Sequence, residues 1–246
     1  MIKLIIICTK AIIIALMALL FTSCNQKFHF GNGMDGNGIV KTENRATTAT
    51  FTKIESSRGL DVIIEQSIES SIQVMADENL LKHIITKVEN GTLIVTTDRD
   101  MDDYSARKIT IKMPIIESLS TDSGSTITTI NTIKGINLKL HSDSGSELTA
   151  KAEYESISAD CDSGSSQKLA GKSLKLNAHS DSGSDLDAKN LLSNDVIATS
   201  DSGSSISVQP LVSLDANADS GASIDYIGEP KKVKKTEDSG GSVSKL

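Results

Sequence analysis

Between Ile116 and Val243, apolar residues fall on every second position, in short runs broken at intervals by Asp-Ser-Gly-Ser or a close variant. The Asp of that corner stands at 122, 143, 162, 181, 201, 219 and 238, so successive copies lie 21, 19, 19, 20, 18 and 19 residues apart. Aligned on this Asp, the other columns become legible. Five residues before it stand Leu138, Ile157, Leu176, Val196 and Leu214; three before it stand Leu119, Leu140, Ala159, Ala178, Ala198 and Ala216. Five after it come Ile127, Leu148, Leu186, Ile206, Ile224 and Val243, with Gln167 the one polar member. The positions between carry Ser, Lys, Asn, His, Thr and Asp. A period of two is that of a strand, whereas a helix would repeat its apolar positions every three or four. One unit is too small to bury a core, but a period near 20 residues is the signature of stacked units. The pattern therefore predicts an all-β, single-chain parallel β-helix (solenoid) with about 19–20 residues per coil. Each coil would be a short strand, the corner, a second short strand and a variable turn, with coils about 4.8 Å apart.

The corner itself raises the question of chemistry. Gly124, Gly145, Gly164, Gly183, Gly203, Gly221 and Gly240 each follow their Asp by two residues. A corner that needs positive φ, or close approach between coils, admits Gly at little cost. Asp and Ser satisfy turn amides by local hydrogen bonds. On this reading the column Asp122, Asp143, Asp162, Asp181, Asp201, Asp219 and Asp238 is structural. The alternative is a calcium ladder, because carboxylates about 4.8 Å apart repel by roughly 0.9 kcal/mol per pair even in bulk water, and calcium takes oxygen ligands. Calcium-binding repeat rolls, however, use a nonapeptide with several glycines per turn.

The first half reads differently. "FTKIESS", "LDVIIEQS" and "SIQVMAD" are strand-like, with Arg58-Gly59 as turn residues; Asn90-Gly91 between two apolar runs predicts a type I′ hairpin; "ARKITIKMP" is a strand stopped by Pro114. Asp77 is a candidate N-cap for one or two helical turns over "DENLLKHI". At the other end, Lys235 replaces the inward Ala amid "KKVKK", and charge in that column stops further stacking.

The N-terminus carries an address. Lys3 precedes an apolar run from Leu4 to Phe21, and Thr22-Ser23 leads directly to Cys24, which resembles the lipobox of bacterial lipoproteins. That likeness implies a signal peptide over 1–23 and a lipid-modified Cys24. Residues 24–46, rich in Gly and Asn, then read as a flexible tether. The solenoid spans 47–246, with N-terminal strands and cap over 47–115 and seven corner coils over 116–246.

Composition narrows the function. There is no Trp among 246 residues, only four Phe and three Tyr, and just three Pro. That suits a thin interior of Ile, Leu, Val and Ala better than a compact mixed core. A net charge of -7 with no basic stripe excludes nucleic acid as a partner. With Cys8 in the leader and Cys24 lipidated, Cys161 stands alone and reads as a small buried residue. His141, Asp160 and His179 share a column, but the two His would be about 9–10 Å apart across two coils, too far for one zinc ion. Arg45, Arg58, Arg99 and Arg107 all precede the repeats, so no cleft pairing Asp with Arg is legible, and a polysaccharide-active enzyme is the least favoured class.

The order "FTKI…GLDVIIEQ…SIQVMADENLL…VENGTLIV…ITIKMP", followed by "SLSTDSGS" and repeated SGS coils, resembles the head-GIN-domain family of auto-transporter adhesins over roughly Phe51 to Val243. The resemblance implies a β-helix, its right-handed sense, and a place in the bacterial cell envelope, and it implies no catalytic residues and no cofactor. The expectation is a non-catalytic lipoprotein at the outer membrane of a Gram-negative bacterium. It would be held to the membrane by its lipid and present a flat Ser/Thr/Asp face to an envelope protein, a glycan or another copy of itself. A calcium-binding module is the alternative. "NQKFHF" after Cys24 lacks the acidic run of surface-exported lipoproteins, which leaves a periplasm-facing position as the default.

Overall fold

Alternation in the sequence becomes alternation of buried and exposed side chains: Glu147–Cys161 runs exposed, buried, half-buried, buried along almost its whole length. A computed structural model describes residues 33–46 and 49–246, of which Gly33–Leu246 forms one compact unit. The apolar leader and Cys24 lie outside the described residues. The strands are β1 (Val40–Arg45), β2 (Lys53–Ser56), β3 (Asp61–Gln66), β4 (Ser71–Asp77), β5 (Ile84–Glu89), β6 (Thr92–Thr97), β7 (Arg107–Met113), β8 (Ser118–Thr121) and β9 (Thr126–Thr129). They continue as β10 (Ile133–Ser142), β11 (Glu147–Cys161), β12 (Ser166–Ser180), β13 (Asp185–Ser200), β14 (Ser205–Ala218), β15 (Ser223–Tyr226), β16 (Lys232–Glu237) and β17 (Ser242–Lys245).

The chain is a β-solenoid. Parallel ladders run β8–β10–β11–β12–β13–β14–β16 on one side of the corner and β9–β11–β12–β13–β14–β15–β17 on the other. Registers place Leu138, Ile157, Leu176, Val196 and Leu214 opposite one another, and likewise Ala159, Ala178, Ala198 and Ala216. All nine are buried, so each column of the alignment is a continuous ladder in the core. A variable turn breaks the strand only at 130–132 and 227–231 among these coils. Elsewhere β11, β12, β13 and β14 run 15, 15, 16 and 14 residues from one corner to the next. The uneven spacing of the repeats is absorbed by register shifts of one residue at Lys168/Ala170 and Ser193/Asp195 and of three at Ala188/Leu192, which bend the strand without ending its ladder.

The solenoid also begins before the first DSG. Strands β2 and β3 flank Ser57-Arg58-Gly59 and pair in parallel with β8 and β9. Arg58 and Gly59 adopt φ of 60° and 70°, and the Gly59 N–H donates to the Ser123 carbonyl at 2.9 Å. Beneath this coil, β6 and β7 pair in parallel with β2 and β3. The stack therefore reads β6/β7, β2/β3, β8/β9, and the N-terminal strands are its first layers. The Asn90-Gly91 turn joins β5 to β6 in an antiparallel hairpin, with φ of 51° and 76°.

Two expectations change here. Residues 40–45 are sheet rather than tether, since β1 pairs antiparallel with β4 along its whole length. Asp77 is not a helix cap. The only helical turn nearby is a 3-10 turn, Leu81–His83, preceded by Leu80 with no side-chain cap. The fully buried Asp77 carboxylate instead accepts the N–H groups of Gly38 at 2.6 Å, Ser105 at 2.8 Å and Ala106 at 3.2 Å. Burial alone would raise its pKa; these backbone donors outweigh that and hold it below the usual carboxylate value. The aspartate thus ties the segment leading into β1 to the loop before β7. Among the described residues, no helix is long and apolar enough to cross a membrane.

Candidate functional site

Each DSG corner is a tight turn closed by a hydrogen bond from the residue three after the Asp back to the Asp carbonyl, at 2.7 to 3.2 Å. Both central residues have positive φ, 43° to 52° at the Ser and 68° to 84° at the Gly, which is the type I′ conformation. An ideal Cβ on Gly124, Gly145, Gly164, Gly183, Gly203, Gly221 or Gly240 would meet nothing within 4 Å. Backbone conformation, not close packing, therefore selects glycine there. From Gly124 to Gly203 the glycine N–H donates to the corner Ser carbonyl of the next coil at 3.1 to 3.2 Å, so the corners stack as a ladder of their own.

The Ser before each Gly carries a side chain through the left-handed region, where L-residues other than Gly, Asn and Asp are uncommon. In six of the seven corners its N–H is held by the preceding carboxylate: Ser144, Ser163, Ser182, Ser202 and Ser220 donate to Asp143, Asp162, Asp181, Asp201 and Asp219 Oδ1 at 2.6 Å, and Ser239 to Asp238 at 2.7 Å. A second donor comes from the next coil in three copies. The Ser163 hydroxyl lowers the pKa of Asp143, the Ser202 hydroxyl that of Asp181 and the Ser239 hydroxyl that of Asp219, each aided by the local Ser N–H. These donors offset the repulsion between stacked carboxylates. Asp122 stands at the first DSG corner of the same column.

The final Ser of the motif turns inward. Ser125, Ser146, Ser165, Ser184 and Ser204 are buried, and each hydroxyl donates to a carbonyl of the coil before it: Ser56, Thr121, Ser142, Cys161 and Ser180, at 2.7 to 3.1 Å. Facing them across the corner are Thr121, Ser142, Cys161, Ser180 and Ser200, also buried. Contacts such as Ser180 Oγ to Ser184 Oγ at 2.7 Å and Cys161 Sγ to Ser165 Oγ at 3.2 Å make a polar seam inside the solenoid. Cys161 is a free thiol in that seam, and burial pushes its pKa up, away from the reactive thiolate. Ala218 and Ala222 end the seam. The inward direction of these hydroxyls follows from the alternation, since the motif's last Ser shares parity with the buried position five after the Asp; Ser's polar character obscures it.

Among the described residues, no group of three or more His, Cys, Asp or Glu side chains is arranged to hold a metal ion. His141 Nδ1 and Asp160 Oδ2 pair at 3.7 Å on the surface, and His179 lies one coil further on. What the corner builds instead is a flat face. Immediately after it, Thr126, Glu147, Ser166, Asp185, Ser205, Ser223 and Ser242 stand in one outward column, and Thr128, Thr149, Lys168, Asp187 and Ser207 in the next. Neighbours in these columns hydrogen-bond along the stack, as Thr126 Oγ1 does to Asp61 Oδ1 at 3.0 Å. The face carries no aromatic platform and no acid–base pair in a cleft. Its chemistry is that of repeated hydroxyl donors and acceptors with scattered negative charge.

Comparison with known proteins is consistent with this architecture. The family model "Putative auto-transporter adhesin, head GIN domain" matches residues 50–230. A crystal structure described as a "putative adhesin" from Bacteroides fragilis superposes with a TM-score of 0.81 at 21% identity, covering 87% of this chain and 100% of that one. A "putative lipid binding protein" from Parabacteroides distasonis superposes at 0.72 with 19% identity, covering 87% and 99%. A further "putative adhesin", from Parabacteroides merdae, gives 0.65 at 18% identity, covering 87% and 98%. At these identities the likeness is one of fold. No curated protein matches the chain.

Proposed function

The chain belongs to the head-GIN-domain family, and we propose that it serves there as a non-catalytic, lipid-anchored adhesin or scaffold of the cell envelope. Cys24 carries the lipid, and the hydroxyl-rich face beside the DSG corners is the part presented to a partner. The observation that carries this reading is the register of that face. Seven outward positions from Thr126 to Ser242 are superposed coil on coil, giving a flat array with a repeat of about 4.8 Å. Such an array suits many weak, repeated hydrogen bonds to an extended glycan or polypeptide rather than one deep site. Acyl chains on Cys24 would hold the domain at the outer membrane, because more than one chain gives a durable anchor. Gly33, the first described residue, lies nine positions beyond Cys24, a length of chain that reaches at most about 30 Å.

Two measurements test it. Cells expressing the full chain should incorporate labelled palmitate, and Cys24→Ala should abolish incorporation and release the protein from membranes. Cells carrying Ser166→Lys, Ser205→Lys and Ser223→Lys together should attach several-fold less well to immobilised mucin than cells with the natural face. Attachment equal to that of cells lacking the protein, in both cases, contradicts the adhesive role.

A further inference from the structure

A third part of the coil surface is chemically unlike the faces beside the corner. Two grooves of about 580 and 510 Å³ meet at Gly135 on the bend between successive corners. Ile115 and Ile136 line the first, and Leu174, Leu192 and Leu211 the second. These five are 42% to 64% exposed, whereas the outward columns beside the corner are mainly Ser, Thr and Asp. Register sets the line: Gly135, Tyr154, Ser173, Ser193 and Pro210 are stacked, so the residues one further on, Ile136, Glu155, Leu174, Asn194 and Leu211, fall in one column with the aliphatics on alternate coils.

Charge accompanies the apolar stripe. Lys53, Lys134, Lys139 and Lys172 line the grooves against Glu117, Glu153 and Glu155, an excess of cations in a chain of net charge -7. Glu153 is itself neutralised, lying 3.1 Å from Lys134 Nζ and 3.6 Å from Lys172 Nζ. Half-exposed branched aliphatics flanked by lysines match the boundary of an anionic bilayer, where apolar groups enter the acyl region and ammonium groups meet phosphates. A sugar ligand would call for a dense array of hydroxyl donors and acceptors such as the face beside the corners carries, which these half-exposed aliphatics do not supply. A second copy is disfavoured by size, because a stable dimer buries roughly 800 Å² per partner and five half-exposed side chains offer far less.

We propose that this aliphatic–lysine edge, Ile115 to Leu211, docks on the phosphate surface of an anionic membrane and lays the solenoid along it. The inference rests on the envelope reading above but is independent of the lipid on Cys24. The test therefore uses the compact unit 33–246 without any lipid. Sedimentation with phosphatidylglycerol–phosphatidylethanolamine vesicles should show binding that phosphatidylcholine vesicles do not support and that weakens as salt rises. Leu174→Ser, Leu192→Ser and Leu211→Ser together should lower it at least tenfold. Lys53→Gln, Lys139→Gln and Lys172→Gln, which leave the apolar groups in place, should lower it several-fold and flatten the salt dependence. Absence of binding to anionic vesicles, or binding by both variants equal to that of the natural sequence, overturns the proposal. So does a dimer that the leucine variant abolishes, which would assign the edge to a second copy. Palmitate incorporation by the full chain with no vesicle binding by the lipid-free unit would leave the anchor standing and remove only this surface.

Discussion

At Gly164 the chain needs φ near 68° with open space where a Cβ would sit, whereas at Gly171 it needs φ near 118° with the Ala152 carbonyl oxygen only 2.1 Å from that Cβ. The two glycines should therefore respond differently. Gly164→Ala is expected to cost about 1–2 kcal/mol of backbone strain, and Gly171→Ala clearly more, because backbone must move as well. Thermal unfolding of both variants checks the order; equal losses would contradict it. Gln167 supplies the opposite case. Its Nε2 donates to the Asp160 carbonyl at 2.7 Å, but its buried Oε1 has no partner, and Leu148 and Leu186 are its neighbours in the same column. Gln167→Leu should stabilise the domain by about 1 kcal/mol, raising the melting temperature by roughly 2–4 °C. A lower melting temperature would show that the donated bond outweighs the orphaned oxygen. The sequence singled out Gln167 as the odd member of its column, and it placed the glycines at the corner. It could not show the left-handed Ser beside each glycine, which in six of the seven corners is held by a carboxylate bond visible only in three dimensions.

The corner as an element combines those residues into a pH-sensitive unit. The Asp143, Asp181 and Asp219 carboxylates have lowered pKa values in the fold, caused first by the Ser163, Ser202 and Ser239 hydroxyls. A group depressed on folding stabilises the native state fully above its unfolded pKa and loses that contribution as pH falls through the folded value. Stability should therefore be flat near neutrality and decline below about pH 4. Replacing these three aspartates with Asn should flatten the acid limb and lower stability at pH 7; an unchanged acid limb would place the titration elsewhere. At the open end, Lys235 bends over the Tyr226 ring, 4.9 Å from its centre, and donates to the Val243 carbonyl at 2.9 Å. β16 is exposed throughout, and lysines on an unpaired edge oppose further stacking. Lys234→Val with Lys235→Val should promote end-to-end association, read as a rise in sedimentation coefficient with concentration; a strictly monomeric variant would count against a capping role. This end was legible because a charge interrupts an Ala column. The opposite end was not: Ser57-Arg58-Gly59 forms the same corner without the Asp, and the stack order β6/β7, β2/β3, β8/β9 has no trace in a linear pattern.

Across the whole molecule, two ladders of different chemistry hold the coils together: aliphatic columns inside, and a column of turns joined through Gly N–H groups, Asp carboxylates and Ser hydroxyls at the edge. The repeat period made the solenoid readable from sequence alone, because only stacking lets such small units bury their apolar side. The aliphatic–lysine edge was hidden, since its residues come from the bends where the repeats differ in length and register. The DSG column forms the corner of the fold, and we propose that it takes no cation. Cation binding there is tested most directly by thermal unfolding of residues 33–246 in excess calcium and in chelator. A ligand bound only to the folded state at 100 times its Kd adds about 2.7 kcal/mol, enough to move a domain of this size by several degrees. The two melting curves are predicted to superimpose. A rise of several degrees with calcium, lost on Asp→Asn replacement in the column, would contradict the account and make the corners a binding site.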